Sequence, residues 1–462
     1  MSISGPYRFV FLLCIGITVW LYACTKFDNS YSNPDEEWLS GGQQTVFDQS
    51  SKAFGHMFPV MPDHLERVHE IGDVHFSATF VSAPAPINGG LGPVFVNTGC
   101  ASCHIGDGRG KVPGSGDNTV QMLFRLSIPG TDAHGGPNPV PGFGDQLQNR
   151  SNLGVVKEGD VTIAYTEQEF FFDDGQPYYL RVPEYKIINA YAPLPSNTML
   201  SPRVASPVFG LGLLEGISEA DVLSRADEND VNGDGISGRP NYVWDHVNQK
   251  KELGRFGWKA NQPTLLQQTA IAYHQDIGIT TSVFPKENSW GQPQTDHLED
   301  DPEITDSILH NVVFYVKTLA VPGRRNATDE AVKKGKQLFL DAGCSKCHIP
   351  DVRTAVNVAF PSVSNQLIHP YTDLLLHDMG EDLADHRPDN LATSNEWRTA
   401  PLWGIGLTQR VNGHTNFLHD GRARNFMEAI MWHGGEALSA KNKVKAMTLE
   451  ERNALIKFLE SL

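Results

Sequence analysis

The chain has 462 residues, with 37 Lys and Arg against 54 Asp and Glu, which gives a formal net charge of −17. This length is more than one ordinary domain needs and suits two. The acidic balance, without a long basic run, argues against nucleic-acid binding, which needs clustered Lys and Arg, and favours a cationic protein partner.

The N-terminal segment predicts export. Arg8 precedes an uncharged run over residues 9–25, and residues 21–24, Leu-Tyr-Ala-Cys, form a lipobox. We expect a lipoprotein signal peptide over residues 1–23 and a lipid on Cys24, with an uncleaved signal anchor as the alternative. In both cases the folded part would lie in the cell envelope, on the periplasmic side or at the outer membrane. Residues 24–60 are expected to form a flexible tether and N-terminal extension.

Two C-x-x-C-H motifs predict two covalently bound haem c groups. Two cysteines three positions apart can each form a thioether with one haem vinyl group, and the next residue, His, then reaches the iron. The alternatives are one zinc site built from all four cysteines and a thioredoxin-type redox pair. The expected haem-binding residues are Cys100, Cys103, His104, Cys344, Cys347 and His348.

The regions around the two motifs repeat in order, which indicates an internal duplication. The repeat predicts a mainly α fold of two tandem cytochrome c-like domains, 61–320 and 328–462, joined by a linker at 321–327. Thr328 is expected to cap the next helix, and Thr448 and Glu451 form a capping box before the last one. The matching segments are Gly72–Phe76 with Gly335–Phe339, Arg203–Leu213 with Arg398–Leu407, Thr269–His274 with Glu428–His433, and the apolar-periodic helices 308–319 and 449–462.

The first domain is the longer one because it carries insertions at 105–201 and 218–253. One insertion predicts a β-hairpin: residues 160–165 alternate apolar and polar, and apolar stretches flank a turn at 173–176, Asp-Asp-Gly-Gln. Loop and hairpin insertions of this kind either cover the edge of the haem or take part in substrate binding, and the sequence leaves both open.

The second insertion contains a candidate calcium loop. Asp230, Asn232 and Asp234 supply oxygen atoms at positions one, three and five, and Gly235 follows at position six, as in the start of an EF-hand loop. Asn241 stands where a bidentate Glu would complete that loop. The segment therefore predicts either a bound calcium ion or a turn rich in Asp, Asn and Gly.

Distinctive strings surround the two motifs, at residues 97–99, 106–110, 254–260, 417–424 and 432–435. With these strings the chain resembles the di-haem oxidoreductase family, described as candidate peroxidases and sometimes labelled thiol-oxidoreductase-like. The likeness covers nearly the whole mature chain. More distantly, the chain is similar to bacterial di-haem cytochrome c peroxidases, in which one haem reduces peroxide and the other passes electrons inward.

This resemblance implies roles for two residues near the first haem. Trp258 matches the Trp between the two haems, and Asp276 matches the acidic residue that assists O–O cleavage, with Asp in place of Glu. A peroxidase needs an open iron, whereas an electron carrier is usually six-coordinate. His134 and His274 are the candidates to close the first iron, although His274 could instead transfer a proton beside Asp276.

At the second haem, His433 falls where the peroxidases have their distal Met, and Met379 is the rival ligand. Arg203 and Arg398, together with Arg109 and Arg422, are expected to pair with haem propionates.

The favoured function is peroxide reduction at the first haem, with electrons entering at the second from a cytochrome c or copper protein. The alternatives are a non-catalytic two-haem electron-transfer lipoprotein and an oxidase of an organic or protein substrate.

Overall fold

The computed structural model describes residues 37–114 and 121–462. The predicted signal peptide, the lipobox with Cys24 and the first part of the predicted tether lie outside the described residues. Within the described ranges, no helix combines the length and the apolar character that a membrane span requires.

Short helices and short strands alternate along the chain, which is 28% helical and 20% strand. The helices of the described residues are α1 (Asp63–Phe76), α2 (Leu211–Glu215), α3 (Glu219–Leu223), α4 (Leu265–Ala272), α5 (Asp306–Lys317), α6 (Glu330–Ala342), α7 (Thr408–Asn412), α8 (Phe426–Trp432), α9 (Leu438–Lys445) and α10 (Leu449–Ser461). The strands are β1 (Thr45–Val46), β2 (Val94–Phe95), β3 (Met122–Thr131), β4 (Pro137–Asn138), β5 (Arg150–Ser151), β6 (Asp160–Phe171), β7 (Pro177–Ile188), β8 (Met199–Val204), β9 (Tyr242–Asp245), β10 (Lys250–Leu253), β11 (Val321–Pro322), β12 (Val352–Arg353), β13 (Leu367–Ile368), β14 (Leu376–Asp378) and β15 (Glu396–Arg398).

The prediction of a mainly α fold of two tandem cytochrome c-like domains is therefore wrong. The strands form seven small sheets in the described ranges, none with more than three strands. Several of these strands have only two residues, too few to show the period-two alternation by which a strand is recognised in a sequence.

Each half of the chain contains a pair of helices that cross closely at a glycine. Gly72 of α1 lies against α5, where an added Cβ would come within 2.2 Å of the carbonyl oxygen of Asn311. Gly335 of α6 lies in the same way against α10. An added Cβ there would come within 2.0 Å of the carbonyl oxygen of Ala454. The repeated glycine therefore permits the same close helix contact twice.

The second repeated segment also has one conformation in both halves. Gly210 and Gly404 have left-handed φ angles of 71° and 69°. Two positions later, Gly212 and Gly406 each lie against a helix backbone. An added Cβ at Gly212 would be 2.0 Å from the carbonyl oxygen of Lys317, and one at Gly406 would be 2.1 Å from that of Glu460. These positions require glycine because a side chain would be strained or would clash.

The predicted β-hairpin is confirmed and is longer than expected. β6 and β7 pair antiparallel over twelve residues each, from Asp160 opposite Ile188 to Phe171 opposite Pro177. In the turn, Gly175 has a φ of 83° and donates its N–H to the carbonyl of Phe172 at 2.9 Å.

The tip of this hairpin binds the second half of the chain. Phe172 packs in the same apolar cluster as Phe339 and Phe458. The guanidinium of Arg452 forms an ion pair with Asp174 at 2.7 Å and lies over the ring of Phe172. An insertion of the first half therefore joins the two halves.

The second insertion-derived sheet has the strand order β4-β3-β8. Met122, Phe124 and Leu126 of β3 alternate into a buried apolar cluster, so the intervening Arg125 points to the other face of the strand.

The segment between the halves is not a loose linker. β11 pairs in parallel with β1, which brings part of the predicted N-terminal extension into the folded unit Trp38–Leu462. Arg325 donates to the carbonyls of Glu460 and Leu462. The predicted cap at Thr328 is wrong: α6 begins one residue later than that cap would give, because the Asp329 carboxylate accepts the first free N–H groups.

Both predicted apolar-periodic helices are present. Helix α5 covers most of 308–319, and α10 opens with the complete capping box of Thr448 and Glu451.

Candidate functional site

The first C-x-x-C-H motif lines a cavity of about 220 Å³ between the β3–β8 sheet and helix α4. The ring of His104 forms a hydrogen bond through Nδ1 to the carbonyl of Ser206 at 2.7 Å. A carbonyl can only accept, so Nδ1 carries the proton and Nε2 keeps a lone pair. Burial lowers the pKa of His104, which keeps the ring neutral. The side chain is therefore prepared to bind a metal through Nε2.

The second motif has the same arrangement in a cavity of about 240 Å³. Nδ1 of His348 donates to the carbonyl of Tyr371 at 3.0 Å, and burial lowers the pKa of His348 to about 4. Phe76 lies 6.2 Å from the ring of His104, and Phe339 lies 6.3 Å from that of His348. The repeat thus builds two equivalent imidazole sites.

The four motif cysteines lie in two separate places and are not joined by disulfides. Cys100 and Cys103 line the first cavity, and Cys344 and Cys347 line the second, so the alternative of one zinc site from all four is excluded. Burial raises the pKa of Cys100, Cys103 and Cys344 to about 12. A reactive redox pair needs a lowered thiol pKa, so this environment does not favour a thioredoxin-type site.

Trp258 lies between the two cavities and lines both. Its Nε1–H donates to the carbonyl of Val204 at 2.9 Å, and its own carbonyl accepts the N–H of Arg398 at 2.9 Å. The guanidinium of Arg109 is 5.3 Å from the ring centroid. Two contacts therefore hold the indole at the boundary of the two cavities, and a third fixes its backbone.

Arg109 and Arg398 also line both cavities. Arg109 donates to the carbonyl of Leu418, and Arg398 donates to the carbonyls of Gly257 and Thr399. Among the described residues neither forms an ion pair with a carboxylate, and burial lowers the pKa of both to about 10. Two such cations facing a cavity fit a cofactor that brings its own carboxylates, as haem does with its propionates.

Arg203 and Arg422 differ, because protein carboxylates already pair with them. Arg203 lines the first cavity but forms a buried ion pair with Asp389 at 2.9 Å. Arg422 pairs with Asp420 at 2.9 Å. The predicted propionate contact is thus better suited to Arg109 and Arg398 than to these two.

Asp276 lines the first cavity. Its Oδ1 accepts a hydrogen bond from Nε2 of Gln146 at 2.8 Å. Burial raises the pKa of Asp276, while the positive charge of Arg125 and the bond from Gln146 lower it. Burial is the larger effect, so the pKa of this carboxyl group is raised, as is common for acids at functional sites.

A π-helical turn at Tyr273–Ile277 gives Asp276 this position. The corresponding segment of the second half, α8, has no such turn and ends at Trp432, directly before His433. The wider turn changes which side chain faces the cavity, so Asp276 lines it and His274 does not.

The two histidines proposed to close the first iron both lie elsewhere. His134 is exposed and stacks on Trp244 at 4.1 Å. His274 binds through Nε2 to the carbonyl of Lys286 at 2.9 Å, and burial lowers its pKa to about 4. Neither lines the first cavity, and His274 is not placed to transfer a proton there. Among the described residues lining that cavity, His104 is the one imidazole and Met122 the one thioether.

The sequence prediction missed Arg125, which lines the first cavity together with Asp276. Its Nη1 is 3.4 Å from Oε1 of Gln275, and its buried Nε has no acceptor among the described protein atoms. Burial lowers the pKa of this guanidinium, and Asp276 raises it. The sequence did offer one indication of this position: Arg125 stands among alternating apolar residues of β3 and so lies on the opposite face of that strand.

Both proposed sixth ligands of the second haem line the second cavity. Nδ1 of His433 donates to the carbonyl of Ala429 at 2.7 Å, which leaves Nε2 as the ligand atom. His348 lines the same cavity. Met379 lies on the same cavity wall.

A third imidazole at this cavity, His377, was not predicted as a site residue. It lies between two carboxylates, 2.8 Å from Asp373 and 2.7 Å from Glu436. These hydrogen bonds raise its pKa well above its ordinary value, although burial opposes this. Because both ring nitrogens are engaged, His377 is not free to bind iron.

The candidate calcium residues use several of their oxygens within their own loop. Asp230 accepts from the N–H of Gly235 at 3.1 Å, and Asn232 accepts from that of Asp234 at 2.8 Å. Asp234 also pairs with Lys346 of the second haem motif at 2.9 Å. These contacts are those of a turn docked on that motif, and calcium binding stays a prediction.

No curated protein is similar enough to this chain to count as a match. Among solved structures, a chain of hydrazine synthase from Kuenenia stuttgartiensis, described as pressurized with 20 bar xenon, shares 20% sequence identity with a TM-score of 0.22. The match covers 34% of this chain and 55% of that one, about half its length. The family model described as “Di-haem oxidoreductase, putative peroxidase” matches residues 35–462. The chain therefore belongs to the di-haem oxidoreductase family.

Proposed function

We propose that this di-haem oxidoreductase reduces peroxide at the first cavity with electrons that enter at the second. In this proposal each C-x-x-C-H motif holds one haem c covalently, with His104 and His348 as the proximal ligands. The haems supply the redox chemistry, and the overall reaction is H₂O₂ + 2 e⁻ + 2 H⁺ → 2 H₂O.

The observation that carries the proposal is the difference between the two cavities. The second contains His433 and Met379 in addition to His348, so its iron can be six-coordinate, as suits electron transfer. In the first, among the described residues, none of the predicted sixth ligands is present, whereas a carboxyl group and a guanidinium are. An open metal position beside an acid and a cation is the arrangement that peroxide chemistry needs.

Asp276 and Arg125 would have different roles in peroxide reduction, proton transfer for the first and stabilisation of negative charge for the second. Asp276, whose pKa burial raises, would accept a proton from peroxide and return it to the oxygen that leaves as water. Arg125 supplies a fixed positive charge near the oxygen on which negative charge develops. Gln146 holds the Asp276 carboxyl in orientation through its 2.8 Å hydrogen bond.

Trp258 would be the electron route between the cavities, since it lines both. The guanidinium of Arg109 over its ring opposes positive charge on the indole, which favours electron passage over stable oxidation of the side chain. Arg109 and Arg398 would hold the propionates of the two haems.

The external donor is proposed to be a cationic cytochrome c or copper protein, which the net charge of −17 would attract. The lipid on Cys24 would hold the protein at a membrane of the cell envelope.

The test is steady-state peroxide reduction with a reduced donor protein by wild type and Asp276→Asn. The amide keeps the shape of Asp276 but cannot accept the proton, so turnover is expected to fall by about 10² to 10⁴-fold with the haem spectra unchanged. Asp378→Asn, at a half-buried carboxylate of the second half that does not line the first cavity, is the control. Equal turnover in wild type and Asp276→Asn would contradict the role of Asp276, and a wild type without turnover would contradict the function itself.

A further inference from the structure

A buried row of hydrogen-bonded side chains leads away from Asp276. Glu158 and Gln146 are each 1% exposed and Gln148 is 3% exposed. Nε2 of Gln146 donates to Asp276 and to the carbonyl of Gln275, both at 2.8 Å. Nε2 of Gln148 donates to that same carbonyl at 2.9 Å, and the backbone N–H of Gln148 donates to Oε2 of Glu158 at 2.7 Å. Four hydrogen bonds thus connect the carboxyl group at the cavity to a second buried carboxyl group, that of Glu158.

Several acceptors along this row are buried without a donor from the described protein. They are Oε1 of Gln146, Oε1 of Gln148 and Oε1 of Gln292. Buried polar atoms in proteins are nearly always hydrogen-bonded, and ordered water serves those that the chain does not satisfy. These three amides are therefore suited to hold a file of water molecules.

The row reaches the surface at Gln292. This side chain forms a hydrogen bond with Glu158, is itself half-buried, and has exposed neighbours, Gly291 and Pro293. Solvent therefore lies next to one end of the row, and the first cavity lies at the other.

Glu158 is the one ionisable side chain within this row between Gln292 and Asp276. Burial raises its pKa to about 8, and the hydrogen bonds from Gln148 and Gln292 oppose that shift. The titratable group that feels its charge is Tyr191, whereas the adjacent Lys157 and Asp160 pair with each other at 2.5 Å. The carboxyl group thus carries a proton at neutral pH and loses it as the pH rises through about 8.

We propose that Glu158, with the amides of Gln146 and Gln148, delivers protons through ordered water from the surface at Gln292 to Asp276. This rests on the proposed function, because each H₂O₂ reduced to two H₂O consumes two protons with the two electrons from the donor. Glu158 releases its proton towards Asp276 and is reprotonated from solvent. It acts through Asp276 and does not touch the substrate, so it is a positioning residue and not a catalytic one.

The test compares Glu158→Gln with Glu303→Gln in peroxide turnover across neutral and alkaline pH. Glutamine keeps the size of Glu158 and can donate to the unpaired Oε1 of Gln292, so the fold is preserved, but it cannot release a proton. Glu303 is the control, a half-buried acid whose pKa burial raises to about 7 and which accepts a hydrogen bond from Thr280 and not from the amides of the row.

We expect turnover of Glu158→Gln to fall about tenfold or more with an unchanged KM, and to lose the decline that wild type shows as the pH rises through about 8. Gln148→Met, which removes the amide but keeps Glu158, should lower turnover in the same direction. Wild-type turnover and pH profile in both variants would overturn the proposal.

A second readout separates this proposal from the function on which it rests. Infrared difference spectra of haem reduction, recorded without peroxide, should contain a protonated carboxyl band that is present in wild type and Glu303→Gln and absent in Glu158→Gln. If wild type fails to reduce peroxide, the proposed function fails, and this band still decides the path. Loss of the band in Glu158→Gln alone supports the path, and identical spectra of all three proteins contradict it.

Discussion

His433 and Met379 both line the second cavity, but they are not equally prepared to bind iron. The bond from Nδ1 of His433 to the carbonyl of Ala429 fixes the ring and its tautomer, which leaves Nε2 as the ligand atom. A flexible thioether has no such orientation in advance. We therefore expect two imidazole ligands at the second haem, which gives a lower midpoint potential than His and Met ligation.

Replacing His433 with Met should raise the midpoint potential of the second haem, because it exchanges an imidazole ligand for a thioether. Met379→Leu should leave that potential unchanged. Spectroelectrochemical titration of both variants checks the assignment. A potential that changes with Met379→Leu and not with His433→Met would assign the sixth ligand to Met379 instead.

Sequence patterns identify site residues that are neighbours in the chain and miss those that only tertiary structure brings to the site. The spacing of Cys100 to His104 is enough to recognise a haem motif, because the porphyrin dictates it. Arg125, by contrast, is 22 positions beyond Cys103 in the chain. It reaches the same cavity only because β3 pairs with β8, and the local sequence does not predict that pairing.

Among the elements, the π-helical turn after α4 has the largest consequence for the site. The segments Thr269–His274 and Glu428–His433 match in sequence, but their ends differ in structure. The π turn follows only the first segment and brings Asp276 to the first cavity, whereas His433 lines the second. The repeat predicts the helix of each segment and does not predict the π turn.

At each helix crossing, replacing the glycine with alanine should destabilise the protein, although helix propensity alone predicts that it would stabilise it. In an exposed helix, Gly to Ala stabilises by about 1 kcal/mol. At Gly335 the new Cβ would lie 2.0 Å from the carbonyl oxygen of Ala454, and backbone atoms cannot move aside cheaply. Gly335→Ala is therefore expected to lower the free energy of unfolding by about 1 to 3 kcal/mol.

Chemical denaturation of the whole chain measures this change. Gln337→Ala, at an exposed position of the same helix, is the control and should stay within about 0.5 kcal/mol of wild type. A Gly335→Ala variant that is as stable as wild type would show that the two helices do not cross as closely as described.

At the scale of the whole molecule, contacts of the β6–β7 insertion join the two halves. The hairpin β6–β7 leaves the first half and packs on the second, and β1 pairs with β11 beside the C-terminal helix. Trp258, Arg109 and Arg398 lie at the boundary of the two cavities. The sequence predicted the hairpin from its alternation, but its docking depends on Phe172 meeting residues from about position 332 onward, which no local pattern indicates.

Buried histidines also couple the stability of the molecule to pH. Burial lowers the pKa of His274 to about 4, below its ordinary value of 6.5, so between these values the unfolded chain binds more protons. Its contribution is fully present above pH 6.5 and is lost as the pH falls towards 4. Denaturation at several pH values should show a smaller acid loss in His274→Gln than in wild type. His64→Gln, at an exposed position, should show the wild-type loss, and equal losses in all three proteins would contradict the assignment.

We propose that the first haem has an open iron position and the second does not. Low-temperature electron paramagnetic resonance can test this in the oxidised protein, then in a half-reduced sample, and finally after addition of peroxide. We expect a high-spin ferric signal from one haem, present at the start or appearing on half-reduction, that disappears when peroxide is added. Two low-spin signals that respond neither to half-reduction nor to peroxide would contradict it and would favour a two-haem electron carrier.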